Sequence, residues 1–267
     1  MLRSENWPLV WPLSALVLVA VLYACGGRGR HRRDSAFYAG LACVAIAVDS
    51  PVDTYADRLF WVHMAQHVLL TMVAPPLLLV GRPWPRLIRP VPLRARRPLA
   101  RTVLVGPSLG RLRAWCEWLA SPPAAFVLFN GVLLAWHVPV LFDLTLRSAP
   151  VHALEHGLFF STALLFWRHL VPATRRPHLT DAQRAVSATG AILVSWVLAV
   201  VLGLASSPLY AHYASLAHRP GGISALADQQ LAAGIMWVPA SIPFTVVAFV
   251  AAFRWLGPAG DLRPRET

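Results

Sequence analysis

Lysine is missing from this 267-residue chain, and all 24 of its basic residues are arginine. Charge of either sign is scarce: charged residues make up 13% of the chain, where a soluble domain carries about a quarter. The three cysteines, Cys25, Cys43 and Cys116, show no CxxC spacing and no even pairing. That pattern argues against a disulfide framework and a thiolate zinc site. The glycines are scattered and form no phosphate-binding loop, and neither a nucleophile elbow nor a CxxCH haem-attachment motif is present. Nucleotide binding, serine-hydrolase chemistry and covalent haem therefore have no support in the sequence.

What the chain does contain is apolar. Hydrophobic residues make up 57% of it, and the mean hydropathy is +0.54. Runs long enough to cross a hydrocarbon core fall at about 7–25, 35–49, 59–80, 122–142, 152–171, 185–205 and 227–253. Such a core needs roughly 20 helical residues. The bilayer offers no water to an open backbone, so the spans must be helical. The expected fold is all-α: a polytopic bundle of seven transmembrane helices forming a single domain over 1–267. A basic cytoplasmic connection occupies 81–120.

The net charge of +12 would ordinarily raise nucleic acid as a partner. Here the arginines lie between apolar runs, where they set topology instead. Twenty flank one side of the proposed membrane and four the other, the four being Arg3, Arg58, Arg147 and Arg219. The bias predicts an outer N-terminus and a cytoplasmic C-terminus. It also argues against cleavage at LYAC (22–25), which would release four arginines to the outside. Nine arginines lie in 81–120, which is expected to rest against anionic lipid.

On this topology, seven of the ten histidines fall on the outer side. His31, His169 and His178 lie on the cytoplasmic side and are expected to be solvated or interfacial. His63 and His67, in LFWVHMAQHVLL, and His152 and His156, in VHALEHGLFF, are two i, i+4 pairs. That spacing places both rings of a pair on one helical face. His137, in AWHVPVLFD, lies near the outer end of the fourth run, and His212 and His218 lie in the last outer loop. Ionisable residues within spans are costly and mark function by default. The candidate metal ligands are therefore His63, His67, His137, His152 and His156. A packed, hydrogen-bonded set of core histidines is the competing reading.

Imidazole suits copper, zinc, iron and nickel, and thioether favours Cu(I). Met64 and Met236 are possible additional ligands, although apolar methionines commonly fill cores. Glu155 and Asp228 are candidates to orient the imidazole rings. The donor set places copper ahead of zinc.

The runs SPVDTYADRLFWVHMAQHVLLTMVAPPLLLVGRP, WHVP, HALEHGLFFSTALLFW and DQQLAAGIMW resemble the CtaG family of multi-spanning cytochrome c oxidase assembly factors. The resemblance covers roughly 48–253. It implies a bacterial plasma-membrane protein that assists assembly of a haem–copper oxidase at the copper step, with oxidase subunits as partners and no turnover of its own. By motif it carries over to His63, Met64, Gln66, His67, His137, His152, His156, Asp228, Gln229, Met236 and Trp237. Two other functions remain open on the residues: a copper transporter using the proline-broken spans, and a haem-binding electron-transfer protein with two axial histidines.

Overall fold

The computed structural model describes residues 10–27, 31–171 and 179–257, and within them all regular structure is helical. The chain opens with α1 (Val10–Cys25) and α2 (His31–Val48), followed by the short α3 (Pro51–Ala56). Helix α4 (Phe60–Val68) carries the first histidine pair and continues through a π-helical turn at Leu69–Val73 into α5 (Ala74–Val80).

The cause of that turn is local. Pro75 and Pro76 have no N–H to give, so the carbonyls four residues earlier lose their helical partners. The indole N–H of Trp167 donates to one of these, Thr71 O, at 2.8 Å. The N–H of Ala74 reaches back to Leu69 O instead. In a bilayer such freed groups must be satisfied by the protein itself.

The connection over 81–120 is helical: α6 (Pro83–Ile88), α7 (Leu93–Leu104) and α8 (Gly110–Leu119). None of the three buries a residue. Next come α9 (Pro122–Trp136), α10 (Pro139–Arg147) and α11 (Ala149–Leu170). The apolar run at 122–142 is therefore not one helix. Helix α9 stops at Trp136 with His137 as its C-cap, and Pro139 opens α10, because proline disfavours helical geometry in the residue before it. The chain ends with α12 (Asp181–Leu204), the short α13 (Ala211–Ala214), α14 (Ala225–Trp237) and α15 (Ile242–Leu256).

Among the described residues, three helical stretches are long and apolar enough to cross a membrane: Phe60–Val80, Asp181–Leu204 and Ala225–Leu256. A fourth is possible if Pro107–Leu119 and Pro122–Trp136, bent by 70°, act together. Helix α11 has 22 residues, but its histidines, Glu155 and Arg168 make it more polar.

Helix association in lipid depends on close packing and internal hydrogen bonds. Gly40 of α2 illustrates the first: a Cβ there would meet Leu78 Cγ at 2.8 Å, so only glycine lets α2 sit this close to α5. One buried cluster contains Phe60, Met64, Phe142, Leu146, Tyr210, Tyr213 and Met236. A second, around Phe129, Phe166, Trp167 and Phe244, lies beside the π turn with Met72. The two histidine pairs face inward near these clusters.

His169 departs from its expected solvated place. It is buried, and its Nε2 lies 3.0 Å from Ala120 O, which ties α11 to the end of α8. His31 is exposed, and His178 falls outside the described residues.

Candidate functional site

Helix α4 begins with two backbone N–H groups that have no partner within the helix. Asp228, on the first turn of α14, accepts both: Phe60 N–H to Oδ2 and Trp61 N–H to Oδ1, each at 2.9 Å. The carboxylate is fully buried and sits where the helix dipole favours negative charge. Asp228 therefore caps the histidine-bearing helix, and does not orient an imidazole as its sequence position suggested. A helix end buried among other helices needs an acceptor more than a neutral ring does.

Gln66, on the same helix, donates to Ala47 O at 2.5 Å and to Asp53 Oδ1 at 2.9 Å. It thereby ties α4 to α2 and α3. Gln229 accepts the N–H of Leu209 at 2.7 Å and donates to Leu202 O at 2.9 Å, closing the end of α12. Met236 lies in the same buried cluster as Met64, while Trp237 is half exposed.

The rings themselves meet between α4 and α11. His63 Nε2 is 3.0 Å from His67 Nε2. The His63 ring centre lies 5.3 Å from that of His152, and the His67 centre 5.5 Å from that of His156. Glu155 enters the middle of this set. Its carboxylate oxygens stand 3.9 Å from His63 Nε2, 3.7 Å from His67 Nε2 and 3.9 Å from His152 Nε2. One ligand atom from each of His63, His67, Glu155 and His156 lies within 4.8 Å of the others. Three imidazoles and one carboxylate, all but His156 buried, make a donor set that fits a borderline divalent ion such as copper or zinc.

His152 adjoins this group through Glu155, and its ring lies tilted against that of His156 with the ring centres 4.0 Å apart. His137 stands to one side: its ring centre is 6.5 Å from that of His67, and its Nε2 is 3.4 Å from Met64 Sδ. The five histidines singled out by spacing and depth thus converge, with four donors closest together and His137 paired to a thioether.

Two features of the site escaped the sequence. The position of Glu155 between the two histidines suggests an additional or ring-orienting group, and the turn of α11 brings its carboxylate among the rings. Tyr213, from α13, carries no mark of a role in its local sequence. Its hydroxyl donates to Ala56 O at 2.5 Å and lies 3.2 Å from His63 Nδ1. Ala56 O can only accept, so the hydroxyl hydrogen is committed there, and His63 Nδ1–H donates to the phenol oxygen. A neutral His63 then presents a bare Nε2 to the centre. Burial holds the Tyr213 hydroxyl well above the ordinary tyrosine pKa, so it stays protonated. Only its place beside His212, in the segment between α12 and α14, could have pointed to it.

Two further histidines lie in or beside the segment between α12 and α14. His212 Nε2 is 3.0 Å from Asp57 O, and Asp143 accepts the N–H groups of Ala211 and His212 at 3.2 and 3.1 Å. His218 is exposed.

Comparison with known proteins gives this geometry its context. An uncharacterized protein of Mycobacterium bovis is 27% identical over 262 residues, and so is one of Mycobacterium tuberculosis. A third, from Mycobacterium leprae, is 25% identical over 230 residues, covering 82% of this chain and 33% of that protein. The first two alignments take in 92% of this chain, which spans about two fifths (39%) of the length of those relatives. No solved structure matches the chain. The profile of the cytochrome c oxidase caa3 assembly factors matches residues 16–257, nearly the whole of the chain, and the protein belongs to that family.

Proposed function

We propose that this protein holds a copper ion as cargo between α4 and α11 and hands it to a cytochrome c oxidase subunit during assembly, without catalytic turnover. The observation that carries the reading is the fully buried Glu155 carboxylate, faced at 3.7–3.9 Å by imidazole nitrogens of His63, His67 and His152. A carboxylate set among imidazole nitrogens supplies the anionic oxygen that a copper or zinc ion takes together with nitrogen donors. His63, His67, His156 and Glu155 are the proposed ligands. His152 and Tyr213 orient them.

The membership of the family supports the oxidase as recipient. The rings pack on one another and on Phe142 and Phe159 at 4.6–5.0 Å, which favours a single ion over a haem macrocycle. In a seven-span arrangement, α1, α2, α4–α5, α9, α11, α12 and α14–α15 cross the bacterial plasma membrane. The arginine-poor loops then face outward, and the site lies in the outer leaflet.

The test is metal analysis of the purified protein beside a His63→Ala, His67→Ala double variant, with oxidase assembly followed in cells. Copper bound by the wild type and lost from the double variant, together with loss of assembled oxidase, is the expected result. Unchanged copper stoichiometry in the double variant would refute it.

A further inference from the structure

His137 and Met64 bring two acceptor atoms into contact between the end of α9 and α4. His137 caps α9, and its Nδ1 lies 2.7 Å from Leu133 O. A carbonyl oxygen only accepts, so Nδ1 carries the hydrogen, and a neutral ring has a bare lone pair at Nε2. That nitrogen faces Met64 Sδ at 3.4 Å, and a thioether sulfur likewise offers only lone pairs. Both side chains are buried, His137 at 6% exposure and Met64 at 1%.

Two acceptors held lone pair to lone pair, away from water, call for an electron-poor species between them. The separation suits a metal. With a nitrogen bond of about 2.0–2.1 Å and a sulfur bond of about 2.3 Å, the observed distance corresponds to a bond angle at the metal of roughly 100°, near tetrahedral. An imidazole and a thioether with no carboxylate form a soft donor pair that selects Cu(I). Met236 lies in the same buried cluster as Met64. His67 Nδ1 is buried without a hydrogen-bond partner among the described residues, and its ring centre is 6.5 Å from that of His137.

We propose that Met64 and His137 form a second, soft metal site that takes monovalent copper, adjoining the His63, His67, Glu155 and His156 group. An ion can move between the two through His67 without leaving the bundle. The proposal rests on the reading of copper as cargo.

The test uses the purified full chain loaded with Cu(I) under a reductant and examined by X-ray absorption. A sulfur neighbour at about 2.3 Å is expected in the wild type. It should disappear in Met64→Leu while nitrogen neighbours remain, and chelator competition should show Cu(I) affinity falling about tenfold or more. Binding of Cu(II) and Zn(II) should be unchanged in that variant. Leucine conserves the volume of methionine, and the wild-type spectrum by itself decides the outcome if the variant fails to fold. Copper bound through nitrogen and oxygen alone, or equal Cu(I) affinity in Met64→Leu, overturns the soft site and leaves the proposed function standing. A wild type that binds no copper in either oxidation state overturns both.

Discussion

Replacing Glu155 by glutamine separates a metal ligand from a structural carboxylate, because the two roles predict different changes with and without metal. Without metal, even a protonated imidazole at 3.7 Å would gain only about 4.5 kcal/mol of attraction to the carboxylate at an effective dielectric of about 20. Removing two ions from water costs several kcal/mol each, so the pair comes close to breaking even. Glutamine has nearly the same shape and no charge. The unliganded protein should therefore keep its stability to within about 1 kcal/mol. With metal the loss is one-sided, since the variant gives up its only anionic donor. Affinity should fall about 100-fold, equivalent to about 2.7 kcal/mol. At a copper concentration of about 1,000 times the wild-type Kd, binding stabilises the wild type by about 4.1 kcal/mol and the variant by only about 1.4 kcal/mol. Thermal unfolding in detergent, run with and without Cu(II), measures both quantities. A Glu155→Gln protein that is destabilised without metal, or keeps its full copper-dependent increment, would show that Glu155 does not act as a ligand.

Other substitutions probe the supports of the site. Asp228→Ala leaves the N–H groups of Phe60 and Trp61 unsatisfied at a buried helix end; a loss of about 2 kcal/mol is expected by denaturant titration, and an unchanged midpoint would refute the capping role. Tyr213→Phe removes both the donor to Ala56 O and the acceptor for His63 Nδ1. Calorimetric titration should show copper affinity falling about 10–100-fold, and wild-type affinity would show that the ring needs no such support. Topology can be read from single cysteines in a background with Cys25, Cys43 and Cys116 replaced by serine. Ser215→Cys, exposed in the last loop, should react with an impermeant maleimide in intact cells, and Ser108→Cys, exposed before α8, only in inverted vesicles; the reverse pattern would overturn the orientation.

The helical, membrane-embedded character and the family were legible in the residues themselves. Scarce charge and repeated apolar runs leave helix as the spanning option, and HMAQH with its partner motifs identifies the family. The i, i+4 spacing also put both rings of each pair on one face, because helical periodicity is a local property. Local periodicity says nothing about how one helix is rotated against another. Only the tertiary structure turned α11 so that Glu155 lies among the imidazoles. It also set Asp228 on the end of α4 and not beside a ring, and brought Tyr213 back from a loop 150 positions away to His63. The break after Trp136 had a visible cause in Pro139, yet where the freed His137 ring would rest depended on packing against Met64. By itself the sequence determined which side chains line each helix, since that follows from bond geometry within the helix. Which donors share one centre was decided by contacts between helices, where close packing and buried hydrogen bonds select a single arrangement.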